Sequence, residues 1–251
     1  MRILVINPNT TASMTDKIGK AAEVAASSGT QIVAVNPKDG PPSIEGYFDE
    51  AFVVPGIIAE MAKAGAMDAY VIACFDDTGL DAARCAADAP VIGIGEAAFH
   101  IATLIAGKFS VVTTLARSVP AIEHNLSKYG LASRCAEVRA SDVPVLDLER
   151  PGSDARRKIS AEIARAITED KAEAIVLGCA GMADLAHALS QEHGVPVLDG
   201  VACAVRLAET VSALGLRTSK VGGYAAPLAK RFAGLYAPWS PGGDKSADGT
   251  P

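Results

Sequence analysis

Eight short apolar runs alternate along this chain with Ala-rich stretches of helical spacing, and that alternation limits the possible folds more than any other feature. The runs are RILVIN (2–7), QIVAVN (31–36), AYVIAC (69–74), PVIGIG (90–95), FSVVTT (109–114), CAEVRA (135–140), AIVLGC (174–179) and PVLDG (196–200). Several are continuous and rich in Val and Ile, as strands covered on both faces require. Helical patterns fill roughly 12–27, 50–65, 78–88, 96–106, 117–128, 153–170, 181–192 and 201–214. Strand followed by helix, repeated, builds parallel sheets through right-handed crossovers. The expected class is α/β.

The series also repeats itself. Pro90 of APVIGIGEA and Pro196 of VPVLDGVACA lie 106 residues apart, as do Asn7 of NPNT and Thr113 of TTLA. Cys74 and Cys179, each ending a third strand, share that register at 105. One offset at several landmarks predicts two pseudo-symmetric α/β domains, each a mostly parallel sheet flanked by helices. We expect residues 1–97 with 205–239 to form the first domain and 98–204 the second. SPGGDKSADGTP (240–251) has too little apolar surface to order itself and reads as a disordered tail. Ligands of parallel sheets bind beyond the carboxyl ends of the strands. Two facing halves would therefore bring NPNT, VVTT, Cys74 and Cys179 to one cleft.

Composition removes several classes of function. A net charge of −6 does not suit a nucleic-acid surface. No apolar run reaches the roughly 18 residues of a membrane span, and MRILVINPNTT reads as a first strand rather than a signal peptide. Five cysteines without a C-x-x-C pair or zinc-like spacing predict free thiols in the cytoplasm and no metal site.

Most free cysteines are small core residues, but a matched pair at two strand ends carries chemistry. Thr78 and Asp81 have the spacing of a capping box, so a helix should start just after Cys74. A helical pattern also follows Cys179. Each sulfur should then meet a positive helix end that favours thiolate over thiol. Asp76 and Asp77 oppose this if they face the sulfur. A thiolate and a thiol on opposite walls can remove a proton from one face of a carbon and return one to the other. The amides after each cysteine would steady the enolate-like intermediate.

The segments RILVINPNTTASMTDKI, GPPSIEGYFDEA (40–51), VIACFDDTGLDAAR, APVIGIGEAAFH, FSVVTTLARSVPAIE and LGCAGMADL occur in this order. In them the chain resembles the aspartate/glutamate/hydantoin racemase superfamily, specifically its hydantoin racemase branch. The resemblance covers all but the tail. It implies that Cys74 and Cys179 are acid/base thiols, that Asn7, Thr113 and Thr114 line the pocket, and that Phe75, Asp76, Asp77, Ala180 and Gly181 face the substrate. It also implies a homo-oligomer that needs no cofactor. Glutamate racemases carry Cys-Asn-Thr and Cys-Thr-His at the thiols, where this chain has Cys74-Phe75-Asp76 and Cys179-Ala180-Gly181. A neutral cyclic ureide suits that site better than a free amino acid. The expected reaction is inversion at C5 of a 5-substituted hydantoin, with allantoin as the alternative substrate and Asp or Glu as a more remote one. Two readings of other classes are a reversible Cys74–Cys179 disulfide, which needs α-carbons within about 7 Å, and a non-catalytic binding protein.

Weaker signals complete the reading. Gly93-Ile94-Gly95-Glu96-Ala97-Ala98 has the G-x-G-x-x-A form, but the next strand ends in VVTT rather than an acid. Close helix packing is the better reading of its glycines. NPKDGPPSIEGYFDE (36–50) reads as a flap with Ser43, Ile44 and Glu45 at its tip. Cys85, Cys135 and Cys203 read as core fillers, and the four histidines as capping or solvent residues.

Overall fold

The computed structural model describes residues 1–242 and contains all eight expected strands. The first half runs β1 (Arg2–Ile6), α1 (Ala12–Ala25), β2 (Gln31–Val35), α2 (Tyr47–Ala64), β3 (Ala69–Ile72), α3 (Leu80–Ala86), β4 (Val91–Gly93) and α4 (Ile94–Ile105). The second runs β5 (Phe109–Thr113), α5 (Val119–Lys128), β6 (Cys135–Ala140), α6 (Ala155–Thr168), β7 (Ala174–Gly178), α7 (Ala186–His193), β8 (Val197–Asp199) and α8 (Gly200–Ala213). The two four-stranded sheets have the orders β2-β1-β3-β4 and β6-β5-β7-β8, and every pairing in both is parallel. The repeat seen in the sequence is thus a repeat of topology.

Burial follows position in the sheet. The inner strands β3, β5 and β7 are buried along their whole length, as their unbroken apolar runs require. β2 is nearly as apolar in sequence, yet as an edge strand it is only half-buried.

The helices after β4 and β8 exchange sides: α4 packs against β7 of the second sheet and α8 against β3 and β4 of the first. They cross at their N-termini, where Gly200 sits so close to the Ile94 carbonyl that a β-carbon would be 2.7 Å from it. One apolar cluster consequently runs through both halves, from Ile3, Val5 and Val71 to Phe109, Val111 and Val176. The division expected from the sequence cuts α4 and α8, and we propose these two helices as the crossovers between the domains. Within the expected tail, Ser240 and Pro241 bond back to Phe232 and Lys230; residues 243–251 lie outside the described residues.

Phe99 of α4 is fully buried at the centre of this shared core. Its ring meets Phe75 edge-on at 5.4 Å and stacks on Phe109 at 5.9 Å. Aromatic pairs of this geometry add to the burial energy of the rings. Phe99→Ala should cost about 3–5 kcal/mol, the usual range for deleting a buried aromatic, and urea denaturation should show both halves unfolding in one shifted transition.

Candidate active site

In each sheet the strand order reverses between the two inner strands, β1 and β3 in one, β5 and β7 in the other. Beyond the carboxyl ends of strands so placed, a crevice opens. Here the two crevices face each other and form one cavity. Its walls include Asn7, Pro8 and Asn9 after β1, Ala73 to Asp76 after β3, Thr114 and Ser118 after β5, and Gly178 to Ala180 after β7.

The loop after β1 is built from its own side chains. The Asn7 amide donates to Asn9 Oδ1 (2.9 Å) and Thr15 Oγ1 (3.0 Å), and Asn9 Oδ1 accepts from the Thr11 amide (2.9 Å). The flap lies over this loop: Thr10 N donates to the Pro41 carbonyl and Thr11 Oγ1 to that of Pro42. It then crosses to the other half, where Glu45 Oε1 accepts from the Val145 amide at 2.9 Å. Ile44 and Val145 form part of the cavity wall beneath that bond.

Of the residues expected at the site, Cys74, Cys179, Asn7, Ile44, Phe75, Asp76, Thr114 and Ala180 line the cavity, whereas Ser43, Asp77, Thr113 and Gly181 do not. Thr113 is turned away by the strand pairing, its hydroxyl donating to the Gly178 carbonyl at 2.9 Å. Gly181 contributes its amide, which bonds the Cys179 sulfur. Asp77 points out of the cavity, toward α4 and α5. Beside Pro8, Ala73 and Gly178, the lining gains Asn9, Met14, Ser118 and Val145, whose side chains were not anticipated there. Asn9 lay within the NPNT motif and Ser118 just past VVTT; Met14 and Val145 carry no local signal, since ordinary core residues look the same.

Two expectations about the cysteines require correction. Thr78 does not cap α3: Gly79, at φ +76°, holds the N-cap position without a side-chain bond. The Thr78 hydroxyl instead faces the Cys74 sulfur at 3.6 Å. Nor are the thiols acidified. Burial pushes Cys74 well above the usual thiol range, and nearby Asp76 adds to the rise. Cys179 is pushed up to about 12 by burial, against the opposing pull of the Gly181 amide. Cys74 lies several residues ahead of α3, and Cys179 opens only the short 3-10 turn Ala180–Leu185. Desolvation therefore outweighs the end charge of either element. Both resting thiols hold their protons, and all five cysteines are free. Cys135 and Cys203 border the core, while Cys85 is half-buried with its thiol on the Gly223 carbonyl.

The cavity is acidic but weakly charged. Burial, with Glu50 and Asp77 nearby, pushes Asp76 up to about 8, so its carboxyl is largely neutral at pH 7. Among the described residues lining the cavity, none is a lysine or an arginine. Also among the described residues, no three His, Cys, Asp or Glu side chains gather as metal ligands would, and no helix is long and apolar enough to cross a membrane. The Gly93–Ala98 motif serves packing, because a β-carbon on Gly95 would strike the Phe75 carbonyl.

The Asp/Glu/hydantoin racemase family matches residues 3–208. The chain is 52% identical to a hydantoin racemase of Rhizobium meliloti over 236 residues, covering 93% of this chain and 98% of that one. It is 48% identical to a hydantoin racemase of Pseudomonas sp. (strain NS671), covering 93% and 95%. An allantoin racemase structure from Klebsiella pneumoniae superposes with a TM-score of 0.93 at 48% identity, over 96% of this chain and 99% of that one. The chain belongs to the Asp/Glu/hydantoin racemase family.

The raised carboxyls make stability depend on pH. Asp76 (about 8), Asp77 (about 7) and Asp199 (about 6) keep protons that the unfolded chain releases near 3.8. Their contribution is therefore fullest below that value and is lost as pH rises through the folded values. Asp76→Asn removes one such group. In thermal melts the variant should gain on the parent as pH rises from about 5 to about 9.

Proposed function

We propose that this chain is a racemase that inverts C5 of 5-substituted hydantoins, with Cys74 and Cys179 exchanging the roles of base and acid. The observation that carries this reading is the placement of two symmetry-related thiols on the walls of one cavity between the two sheets. For either enantiomer, one sulfur in its thiolate form takes the C5 proton and the other thiol delivers a proton to the opposite face. The charge of the intermediate spreads onto the C4 oxygen, where amides such as that of Ala180 suit it. No proton is gained or lost over the cycle, and the reaction calls for no cofactor.

A wall without cationic side chains supports a neutral ring over a free amino acid, whose carboxylate needs a counter-charge. Met14, Ile44, Phe75 and Val145 suit an apolar 5-substituent, and the relatives named hydantoin racemase support a hydantoin ring as substrate. Allantoin is the second reading, favoured by Asn9, Asp76 and Ser118 as partners for a ureido arm and by the allantoin racemase structures.

We further propose a homo-oligomer in a reducing cytoplasm. Five free thiols suit that compartment. The C-terminal segment supports association with a second copy. It is strapped to α3 by the Lys220 and Tyr224 bonds, and beyond them Leu228, Leu235 and Tyr236 are exposed.

Polarimetry on each enantiomer of a 5-alkylhydantoin, and on allantoin in parallel, tests the reading. Both hydantoin enantiomers should racemise without added cofactor, and faster than allantoin. Because the resting thiols are protonated, kcat/KM should rise with pH between about 7 and 9. Activity on glutamate or aspartate alone would refute the substrate assignment.

A further inference from the structure

Helices α4 and α8 are equivalent, yet their N-termini are capped in different ways. In α8 the N-cap Asp199 accepts from the amides of Val201 (2.8 Å) and Ala202 (3.0 Å). The N-cap of α4 is Gly93, which has no side chain to offer. Asp77, from the loop that carries Cys74, supplies the carboxylate instead and accepts from Gly95 N (3.0 Å) and Glu96 N (2.8 Å). Those two amides stand 106 residues before Val201 and Ala202, so the same pair of donors is satisfied from a different place in the chain. The arrangements exclude each other, because a β-carbon on Gly93 would collide with the Asp77 carboxylate.

The α4 backbone would accept a local cap once Asp77 is gone, with Leu80 Cδ2, 2.9 Å from a β-carbon at 93, turning aside. The backbone at Gly93 (φ −84°, ψ 143°) is close to that at Asp199 (φ −95°, ψ 126°), and both are open to any L-residue. What the remote cap adds is a tether. Asp77 adopts φ +50°, donates its amide to the Cys74 carbonyl at 3.0 Å and accepts from Leu80 N at 3.1 Å, which closes the loop around the cysteine. Its carboxylate takes a third bond, 2.8 Å, from the Tyr129 hydroxyl at the end of α5. Also from α5, the Asn125 amide donates to the Asp76 carbonyl at 2.7 Å. Helix α5 belongs to the half that carries Cys179. The Cys74 loop is therefore fastened across the cleft, to the opposite half.

We propose that Asp77 is a positioning residue: its carboxylate ties the Cys74 loop to the start of α4 and the end of α5, and so sets where the Cys74 sulfur stands relative to Cys179. The proposal rests on the two-thiol reading only for its catalytic consequence. Asp77 touches neither the cavity nor the sulfur, so it acts through the loop.

Exchanging the two caps separates tether from cap. The double variant Asp77→Gly, Gly93→Asp gives α4 the local cap of α8; glycine suits the φ of position 77, and aspartate suits that of 93. The variant should melt within about 3 °C of the parent, the scale expected when a cap is moved rather than lost. Its kcat for racemisation should fall at least about tenfold with KM within about twofold, as misplaced reacting groups lower kcat. Iodoacetamide labelling read by mass spectrometry should show a changed ratio of Cys74 to Cys179 modification. Recovery of kcat to within about twofold, with an unchanged labelling ratio, would overturn the proposal and leave Asp77 as a cap alone. If the parent racemises neither hydantoin nor allantoin, the functional reading fails, and the labelling ratio still decides the tether. Should the double variant not fold, Tyr129→Phe removes only the third bond. It should change the labelling ratio and lower kcat in the same direction, and no change in either would overturn the proposal.

Discussion

Desolvation of two thiols at the carboxyl ends of two inner strands is the constraint on which the structure turns. A sulfur in this position loses the hydration that would stabilise its thiolate, and burial drives both cysteines up in pKa. That cost is consistent with a catalyst that must hold one proton ready to give while the other site takes one. It also limits which carbon acids the cavity can serve, because a resting thiol is a poor base. A carbon beside a neutral ring carbonyl meets that limit better than the carbon beside an amino acid carboxylate, where deprotonation would set a second negative charge next to the first.

The architecture that buries the thiols also joins the halves. Helices α4 and α8 each lie on the other half's sheet, and the Phe75–Phe99–Phe109 column leads from the residue after Cys74 into the second half's first strand. The flap adds a bond across the opening, from Glu45 to Val145, and the Asp77 and Asn125 contacts add others behind Cys74. The separation of the two walls is thus set by several independent links. Rigid spacing of this kind suits a reaction whose two proton transfers occur on opposite faces of one small ring.

Much of this was legible in the sequence, for identifiable reasons. Strands buried on both faces leave continuous Val/Ile runs, and a duplicated topology leaves a constant offset, so the eight strands, the two halves and the pairing of Cys74 with Cys179 could be read directly. The failures were local and electrostatic. Thr78 matched a capping pattern, but Gly79 took the N-cap and freed the Thr78 hydroxyl to face the sulfur. The thiols were expected to be acidic because a helix end is visible in sequence, whereas the depth of burial is not. Thr113 fell at the register of Asn7, yet the pairing of β5 with β7 turned its hydroxyl onto Gly178. Asp77 was noticed as an acid beside a cysteine, but its partners Gly95, Glu96 and Tyr129 are distant in sequence and no short motif records them.

The most direct measurement of the central claim is proton exchange by single-thiol variants in D₂O. Each enantiomer of a 5-alkylhydantoin would be incubated with Cys74→Ser or Cys179→Ser, and deuterium at C5 followed by NMR alongside optical rotation. The account predicts that each variant loses racemisation while retaining exchange of one enantiomer only, with opposite enantiomers for the two variants. Racemisation at the parental rate by either variant would contradict it.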